Sequence, residues 1–226
     1  MTLHIYDELE QGTDEWLAAR CGIVTASVVG QLVTGKTLKP AANDYSRAIT
    51  NLLVAERITG YVVPTPTSAA MERGKLDEPY ARAHYSEHHA PATELGFMVR
   101  DDWGFRLGYS PDGLVGEDGL IEIKSRDPKK HLATILADEV PAENMAQCQT
   151  GLLVSGRDWI DYVSWCGGMP MWTKRVLPDP RWHEAILAAL EIFEANATEM
   201  TSRYLEAVAS LPPTERIDHF AEPEFF

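Results

Sequence analysis

The stretch of residues 108–125, GYSPDGLVGEDGLIEIKS, constrains the fold more than any other part of the chain. It predicts two short strands joined by a turn at GEDG, which has the composition of a tight turn between antiparallel strands. Folding back about position 117 places Asp112 roughly opposite Glu122. Because side chains alternate along a strand, Glu122 and Lys124 lie on one face and the neighbouring isoleucines on the other. The sequence therefore predicts that two carboxylates and one ammonium group share one small space.

This set of charges is typical of a metal site that cleaves a phosphodiester. Two carboxylates suit a hard cation such as Mg²⁺, which prefers oxygen ligands and bridges readily to phosphate. A lysine beside them can stabilise the negative charge that develops when water attacks the phosphate. The alternative is that Asp112 only caps the turn in SPDG, while Glu122 and Lys124 form a weak ion pair on a solvated strand face.

Composition limits the size of the protein and the kind of surface that it can offer. The chain has 226 residues, of which 45% are apolar, which suffices for one domain with a sizeable core. The net charge of -14 argues against a broad basic surface for nucleic acid. However, residues 179–226 carry ten acidic residues against three arginines, and so supply half of that charge. Part of the remaining acidity is expected to bind metal.

The three cysteines predict the cellular compartment. Cys21, Cys148 and Cys166 are odd in number and widely spaced, which indicates reduced thiols and therefore the cytoplasm. No apolar run approaches about 18 residues, so no membrane span is expected. The N-terminus, MTLHIYDELEQ, has no basic region followed by an apolar stretch, so no signal peptide is expected either.

The hydrophobic period changes from helical to strand-like at Glu94, so the chain has an α/β pattern with mixed strand directions. We predict a single domain with a mainly helical part over residues 1–90, a sheet core over 91–178, and a closing helix with an acidic tail over 179–226. The predicted helices span residues 14–22, 25–33, 44–60, 141–155 and 181–209. The predicted strands span residues 94–100, 105–110, 119–125, 159–166 and 172–177. Residues 61–69 predict a connector, and residues 70–89 a helix that is bent or restarted at Pro79.

Several segments together resemble a known family. SPDG at 110–113 followed by IEIK at 121–124 resembles the PD-(D/E)xK signature of restriction-endonuclease-like nucleases. DEWLAARCGIVTAS at 14–27, RGKLDEPYA at 73–81 and MAQCQTGLLVS at 145–155 resemble the bacteriophage lambda exonuclease family, in the order of that family. The resemblance implies a restriction-endonuclease-like core, in which a central mixed sheet is flanked by helices and preceded by a helical elaboration.

The resemblance also implies roles for the residues that match. Asp112 and Glu122 would bind metal together with the carbonyl oxygen of Ile123, and Glu78 would be a third acid for a second metal or its water. Two Mg²⁺ ions are expected, with Mn²⁺ as a substitute. Because Pro79 disfavours helical dihedrals in the residue before it, we expect Glu78 to be displaced from its usual place.

Further matches concern catalysis and the DNA end. Lys124 would assist the attacking water, and Gln147 would orient the nucleophile or the phosphate. The family's pocket for the DNA 5′-phosphate is matched by Arg20, Ser27 and Ser110. Its apolar wedge, which splits the terminal base pair, is matched by Met71. Arginine and hydroxyl groups suit phosphate oxygens. Alternatively, Arg20 pairs with an acid of its own segment, Asp14 or Glu15, and Ser27 only caps a helix.

The implied activity is a Mg²⁺-dependent exodeoxyribonuclease that degrades one strand of duplex DNA from a 5′-phosphorylated end and leaves a 3′ single-stranded tail. The implied partners are duplex DNA ends, two further copies in a ring-shaped homotrimer, and a single-strand annealing protein of phage or prophage recombination in a bacterial host. A closed ring would retain DNA without a broad basic surface. Two alternatives remain open: a site-specific endonuclease of the same fold, and a non-catalytic subunit that binds DNA ends.

Three other features are assigned more ordinary roles. His84, His88 and His89 have a spacing that could bind zinc, but without a further ligand cluster we interpret them as surface or capping residues. The segment GKTLK lacks the rest of a phosphate-binding loop, so we expect Lys36 and Lys39 to contact the DNA backbone from a basic loop. The tryptophans of the predicted strands, Trp159, Trp165 and Trp172, are expected in the core or in subunit contacts.

Overall fold

A computed structural model describes residues 2–63 and 68–217 of the chain. This part of the chain contains seven helices: α1 (Asp14–Arg20), α2 (Ala26–Val29), α3 (Asp44–Thr59), α4 (Ala69–His88), α5 (Pro128–Ala137), α6 (Ala142–Ser155) and α7 (Pro180–Val208). Within these ranges no helix combines the length and the apolar character needed to cross a membrane.

The strands form two mixed sheets and a small hairpin. One sheet has the order β1 (Leu3–Tyr6), β6 (Phe97–Arg100), β7 (Leu107–Tyr109) and β2 (Val24–Thr25). The other has the order β11 (Trp172–Val176), β10 (Trp159–Trp165), β9 (Gly119–Ser125), β8 (Gly113–Val115) and β5 (Ala92–Thr93). The hairpin pairs β3 (Val33–Thr34) with β4 (Lys39–Pro40). Mixed sheets flanked by helices confirm the predicted α/β class.

The predicted hairpin is confirmed in its register. β8 and β9 are antiparallel, and Gly113 lies opposite Ile121. Continuing this register by one residue places Asp112 beside Glu122, as the sequence predicts. The strand before the hairpin differs from expectation, because β7 belongs to the other sheet. SPDG therefore carries the chain from one sheet to the other, and this crossing brings Ser110 and Asp112 to the junction between the sheets.

Helix α6 spans that junction. It contacts β6 and β7 of one sheet and β10 of the other, and it also packs on α2 and α7. Gly151 permits the close approach, since a Cβ atom there would lie 2.7 Å from the ring of Tyr109. Tyr109 and Leu152 are buried in the large core that these elements share. The helix is thus held rigidly beside the ends of β7 and β9.

Two predicted elements are wrong in detail. Residues 70–88 belong to one helix, α4, that continues through Pro79 without a restart, and His89 follows its last residue. Its Ala81 and Tyr85 are buried against the isoleucines of β9, so packing outweighs the cost of about 3 kcal/mol for an interior proline. The helix predicted over residues 25–33 is only the single turn α2, because the chain enters the β3–β4 hairpin at Val33. Of the predicted connector, residues 64–67 lie outside the described residues.

Candidate active site

A cavity of about 400 Å³ lies where α1, α4 and α6 meet the ends of β7 and β9. Nearly all the predicted site residues line it: Arg20, Ser27, Met71, Glu78, Ser110, Asp112, Glu122, Ile123, Lys124 and Gln147. Another cavity, of about 440 Å³, lies between α3 and α7 and contains none of these residues. The predicted residues are therefore brought together in one place although they are distant in sequence.

Glu122 is the most connected side chain of this cavity. It is fully buried, and its Oε1 accepts hydrogen bonds from Lys124 Nζ at 2.6 Å and from Gln147 Nε2 at 2.5 Å. The hydroxyl of Tyr109 donates to Oε2 at 3.2 Å. Burial on its own would lower the pKa of Lys124, but the carboxylates of Glu122 and Asp112 raise it above its usual value, so the lysine stays charged. A buried ion pair of this kind rules out the interpretation as a solvated strand face.

Asp112 is held at the mouth of the hairpin. Its Oδ2 accepts a hydrogen bond of 2.6 Å from the backbone N–H of Ile123. Burial, and then the charge of Glu122, raise the pKa of Asp112 well above its usual value, while Lys124 opposes this change. Asp112 therefore does more than cap a turn, because it adds a half-buried carboxylate beside the buried one of Glu122.

Glu78 faces the same cavity from α4. It forms an ion pair with Arg82 one turn later, and Arg82 also donates a hydrogen bond of 2.6 Å to the backbone carbonyl of Asp112. Burial raises the pKa of Glu78, whereas Arg82 lowers it. The expected displacement of Glu78 by Pro79 is wrong, because the helix continues and directs the carboxylate to the cavity.

Arg20 lies at the opposite wall, beside two hydroxyls. Its Nη2 donates to Thr25 Oγ1 at 3.2 Å and to Ser27 Oγ at 3.4 Å, and its guanidinium lies 3.8 Å from the centre of the Trp16 ring. Burial lowers the pKa of Arg20 to about 10, although Glu56 opposes this change. Within the described residues Arg20 makes no ion pair with the acids of α1. The guanidinium is thus largely desolvated and charged, and has only neutral hydrogen-bond partners.

These findings agree with a comparison to known proteins. The profile of the YqaJ-like viral recombinase domain matches residues 15–158, which is more than half of the chain. The chain belongs to this family. An alkaline exonuclease from Laribacter hongkongensis is 32% identical over 88% of this chain and 100% of its own, with a TM-score of 0.78. The same exonuclease in complex with dAMP gives a TM-score of 0.79.

A more distant structure shares the fold alone. A phage related exonuclease from Haemophilus somnus 129PT is 13% identical over 80% of this chain and 96% of its own, with a TM-score of 0.63. No curated protein sequence matches the chain significantly. The relationship to phage recombination exonucleases and the restriction-endonuclease-like fold, both predicted from the sequence, are confirmed.

The YqaJ-like site also contains residues that the sequence analysis missed. Trp16 lies under Arg20, and its Nε1 donates to Ser110 Oγ at 3.0 Å, so it links both sides of the proposed phosphate pocket. Lys75 lines the cavity as an additional cation. Arg82 could have been found from its i, i+4 spacing to Glu78, a typical helical ion pair. The contact of Trp16 with Ser110 joins residues distant in sequence and leaves no local signal.

Two predicted DNA contacts lie elsewhere in this YqaJ-like domain. Lys36 and Lys39 are exposed on the β3–β4 hairpin and do not line the cavity. Their contact with the DNA backbone stays a prediction. Met71, by contrast, is 55% exposed at the N-terminal end of α4 and does line the cavity.

The donor atoms of this cavity fit a hard divalent cation. They are carboxylate and carbonyl oxygens. Lys124 and Arg82 only partly balance the negative charge of the three carboxylates, those of Glu78, Asp112 and Glu122. Among the described residues, the three carboxylates do not all approach within 4.8 Å of one another. Asp112 and Glu122, with the carbonyl of Ile123, are therefore the residues that could hold one ion, and Glu78 is left for a second ion or its water.

Proposed function

We propose that this chain is a Mg²⁺-dependent 5′-to-3′ exodeoxyribonuclease that digests one strand of duplex DNA from a 5′-phosphorylated end and leaves a 3′ single-stranded tail. Its enzymatic class, a DNA exonuclease, follows from the family to which it belongs. The observation that carries this proposal is that one cavity joins the acid and lysine cluster to the half-buried guanidinium of Arg20. Cleavage and end recognition then act on the same strand.

The residues of the cavity divide this task between them. When bound by Asp112, Glu122 and the Ile123 carbonyl, Mg²⁺ would supply Lewis acidity toward the scissile phosphate. Lys124 places a fixed positive charge beside this point, where it stabilises negative charge in the transition state. Gln147 holds Glu122 in place through its amide N–H. Glu122 is fully buried, so solvent screens its charge only weakly.

The nucleotide bound to a related exonuclease supports the proposal. The alkaline exonuclease that is 32% identical to this chain has a structure in complex with dAMP, a nucleoside monophosphate. A cavity of about 400 Å³ lined by cations and hydroxyls suits a molecule of this size and charge. We infer that the chain releases 5′-phosphomononucleotides one at a time.

Mg²⁺ is expected to stabilise the folded protein. An ion that binds only the folded state at a hundredfold excess over its Kd adds about 2.7 kcal/mol to the free energy of unfolding. For a chain of this size this corresponds to a rise of about 5–10 °C in melting temperature. Asp112→Asn removes one ligand and should lose more than half of the rise in a thermal denaturation series. The control Glu117→Gln alters an acid of the exposed turn and should keep it. An equal rise in the Asp112 variant would exclude this ion site.

The form of the DNA distinguishes three activities. We expect linear duplex DNA with 5′-phosphates to be degraded, the 5′-terminal nucleotide to be released first, and covalently closed circles to stay intact. A site-specific endonuclease of the same fold would cut circles, and a non-catalytic end-binding subunit would release no nucleotide. Duplexes labelled separately at each 5′ and 3′ end, incubated beside closed circles, separate these outcomes. Release of the 3′ label first would refute the polarity.

The proposed assembly is a homotrimeric ring around DNA that works with a single-strand annealing protein in the cytoplasm of a bacterial host. A closed ring around DNA would explain how a chain with a net charge of -14 retains its substrate. We expect a solution mass of about three times the 25.1 kDa chain by light scattering. A monomer at all concentrations would contradict the ring.

A further inference from the structure

The C-terminal end of α4 gathers three side chains that can ligate a metal. One ligand atom each of His84, Glu87 and His88 lies within 4.8 Å of the other two. The spacing of the histidines alone predicts a surface or capping role, because no further ligand cluster accompanies them, and the structure supplies Glu87 as a third ligand. From this geometry we propose that His84, Glu87 and His88 form a binding site for Zn²⁺.

A hydrogen bond to the main chain sets the tautomer of His88. The Nδ1 atom of His88 lies 2.9 Å from the backbone carbonyl of His84, and a carbonyl can only accept, so Nδ1 carries the proton. The lone pair of neutral His88 is therefore on Nε2. Metal-binding histidines typically donate their other ring N–H to a carbonyl in this way. The two imidazole rings also stack, with centroids 4.1 Å apart, so both lie on the same face of α4.

Ligand chemistry favours zinc over magnesium at this position. Two imidazoles and one carboxylate are typical protein ligands of Zn²⁺, and a three-ligand site leaves a coordination position for water. Mg²⁺ prefers oxygen ligands and would not compete well for imidazole. Glu87 and His88 are exposed, so the ion can enter from solvent.

The site is separate from the proposed catalytic cluster. Glu78 precedes His84 by six residues, which corresponds to about 9 Å along a helix. The ring of His84 lies 5.6 Å from the ring of Trp165, and Trp165 pairs with Ser125, the residue after Lys124. Zinc bound here would thus lie near Trp165, which offers an optical signal of binding.

The test is a calorimetric titration of tag-free, chelator-treated protein with ZnCl₂ in millimolar Mg²⁺, which occupies the oxygen site. We expect one Zn²⁺ per chain. His84→Ala and His88→Ala should each weaken Zn²⁺ binding by more than about tenfold, because replacing a residue that only supports a metal ligand already lowers affinity by about that factor. Glu87→Gln should weaken it less. His89→Ala is the matched control, because His89 stacks on Tyr85 outside the cluster and should leave the affinity unchanged.

Two further measurements keep the result decisive. Glu122→Gln should bind Zn²⁺ as the wild type does, which excludes zinc in the acid and lysine cavity. Zn²⁺ should change tryptophan fluorescence in the wild type but not in Trp165→Phe, while circular dichroism shows that each variant is folded. Absence of Zn²⁺ binding by the wild type would overturn the proposal. Unchanged affinity in both histidine variants, or an equal loss in His89→Ala, would also overturn it.

Discussion

Glu122→Gln is expected to reduce the release of nucleotides from linear duplex DNA by at least about 10³-fold, with the protein still folded. Removing a single preorganised group that stabilises the transition state commonly costs about 10²–10³-fold in rate. We expect a larger loss of rate for Glu122, because it is both a proposed metal ligand and the acceptor that positions Lys124 and Gln147. Glutamine keeps the shape and an acceptor oxygen but loses the charge.

Lys124→Ala should cause a loss of about 10²–10³-fold by a different route. It removes the fixed positive charge, while Asp112 and Glu122 stay available for Mg²⁺. The two variants therefore separate the charge of the lysine from the metal ligands: the Mg²⁺-dependent rise in melting temperature should persist in Lys124→Ala and fall in Glu122→Gln. Rates are measured by acid-soluble nucleotide release in single-turnover conditions.

Glu117→Gln provides the matched control for these variants. Glu117 is an acid of the same hairpin, but it is exposed in the turn and does not line the cavity. Its replacement should leave the rate within about twofold of the wild type, as for most surface changes. Normal turnover by either Glu122→Gln or Lys124→Ala would contradict the assigned chemistry.

The hairpin could be predicted because its information is local. Alternation in LIEIK and the turn composition of GEDG fix the register, and the register alone places Asp112 beside Glu122. The switch of sheet at SPDG could not be predicted in the same way. It depends on β7 pairing with β2, which is distant in the sequence, and strands of two or three residues show no clear period.

Helix α4 shows tertiary packing overriding a local rule. A proline inside a helical pattern usually ends or kinks the helix, so a restart at Pro79 was the reasonable prediction. Burial of Ala81 and Tyr85 against β9, and the bonds from Arg82 to Glu78 and Asp112, favour the continuous helix instead. Helix α5 is a different case. Asp127 caps it and Pro128 starts it, so its first turn carries a recognisable local signal although no helix was predicted there.

Recognition of the DNA end illustrates the same limit at the site. Nothing local to Arg20 distinguishes a phosphate ligand from a solvated arginine, and the resemblance alone suggested the pocket. The structure adds that the half-buried guanidinium lies against the Trp16 ring and donates to the hydroxyls of Thr25 and Ser27. A desolvated cation without an acidic partner is costly, unless an anion binds beside it.

Arg20→Ala is therefore expected to reduce the preference for 5′-phosphorylated over 5′-hydroxyl ends by about 100-fold. Losing one partner of a buried, hydrogen-bonded charge pair costs about 2–5 kcal/mol, so this figure lies near the lower end of that range. The loss should appear in the ratio of initial rates on the two duplexes, mixed in one reaction and carrying different labels. Degradation of the hydroxyl end should change little, because the acid and lysine cluster is intact.

Arg47→Ala controls for the general loss of a positive charge, since Arg47 is exposed on α3 and does not line this cavity. It should leave the preference for phosphorylated ends unchanged. Ser27→Ala should reduce the preference by less than Arg20→Ala, because a hydroxyl adds a neutral donor where the arginine adds a charged one. An unchanged preference in Arg20→Ala would remove the end pocket while leaving the cleavage site in place.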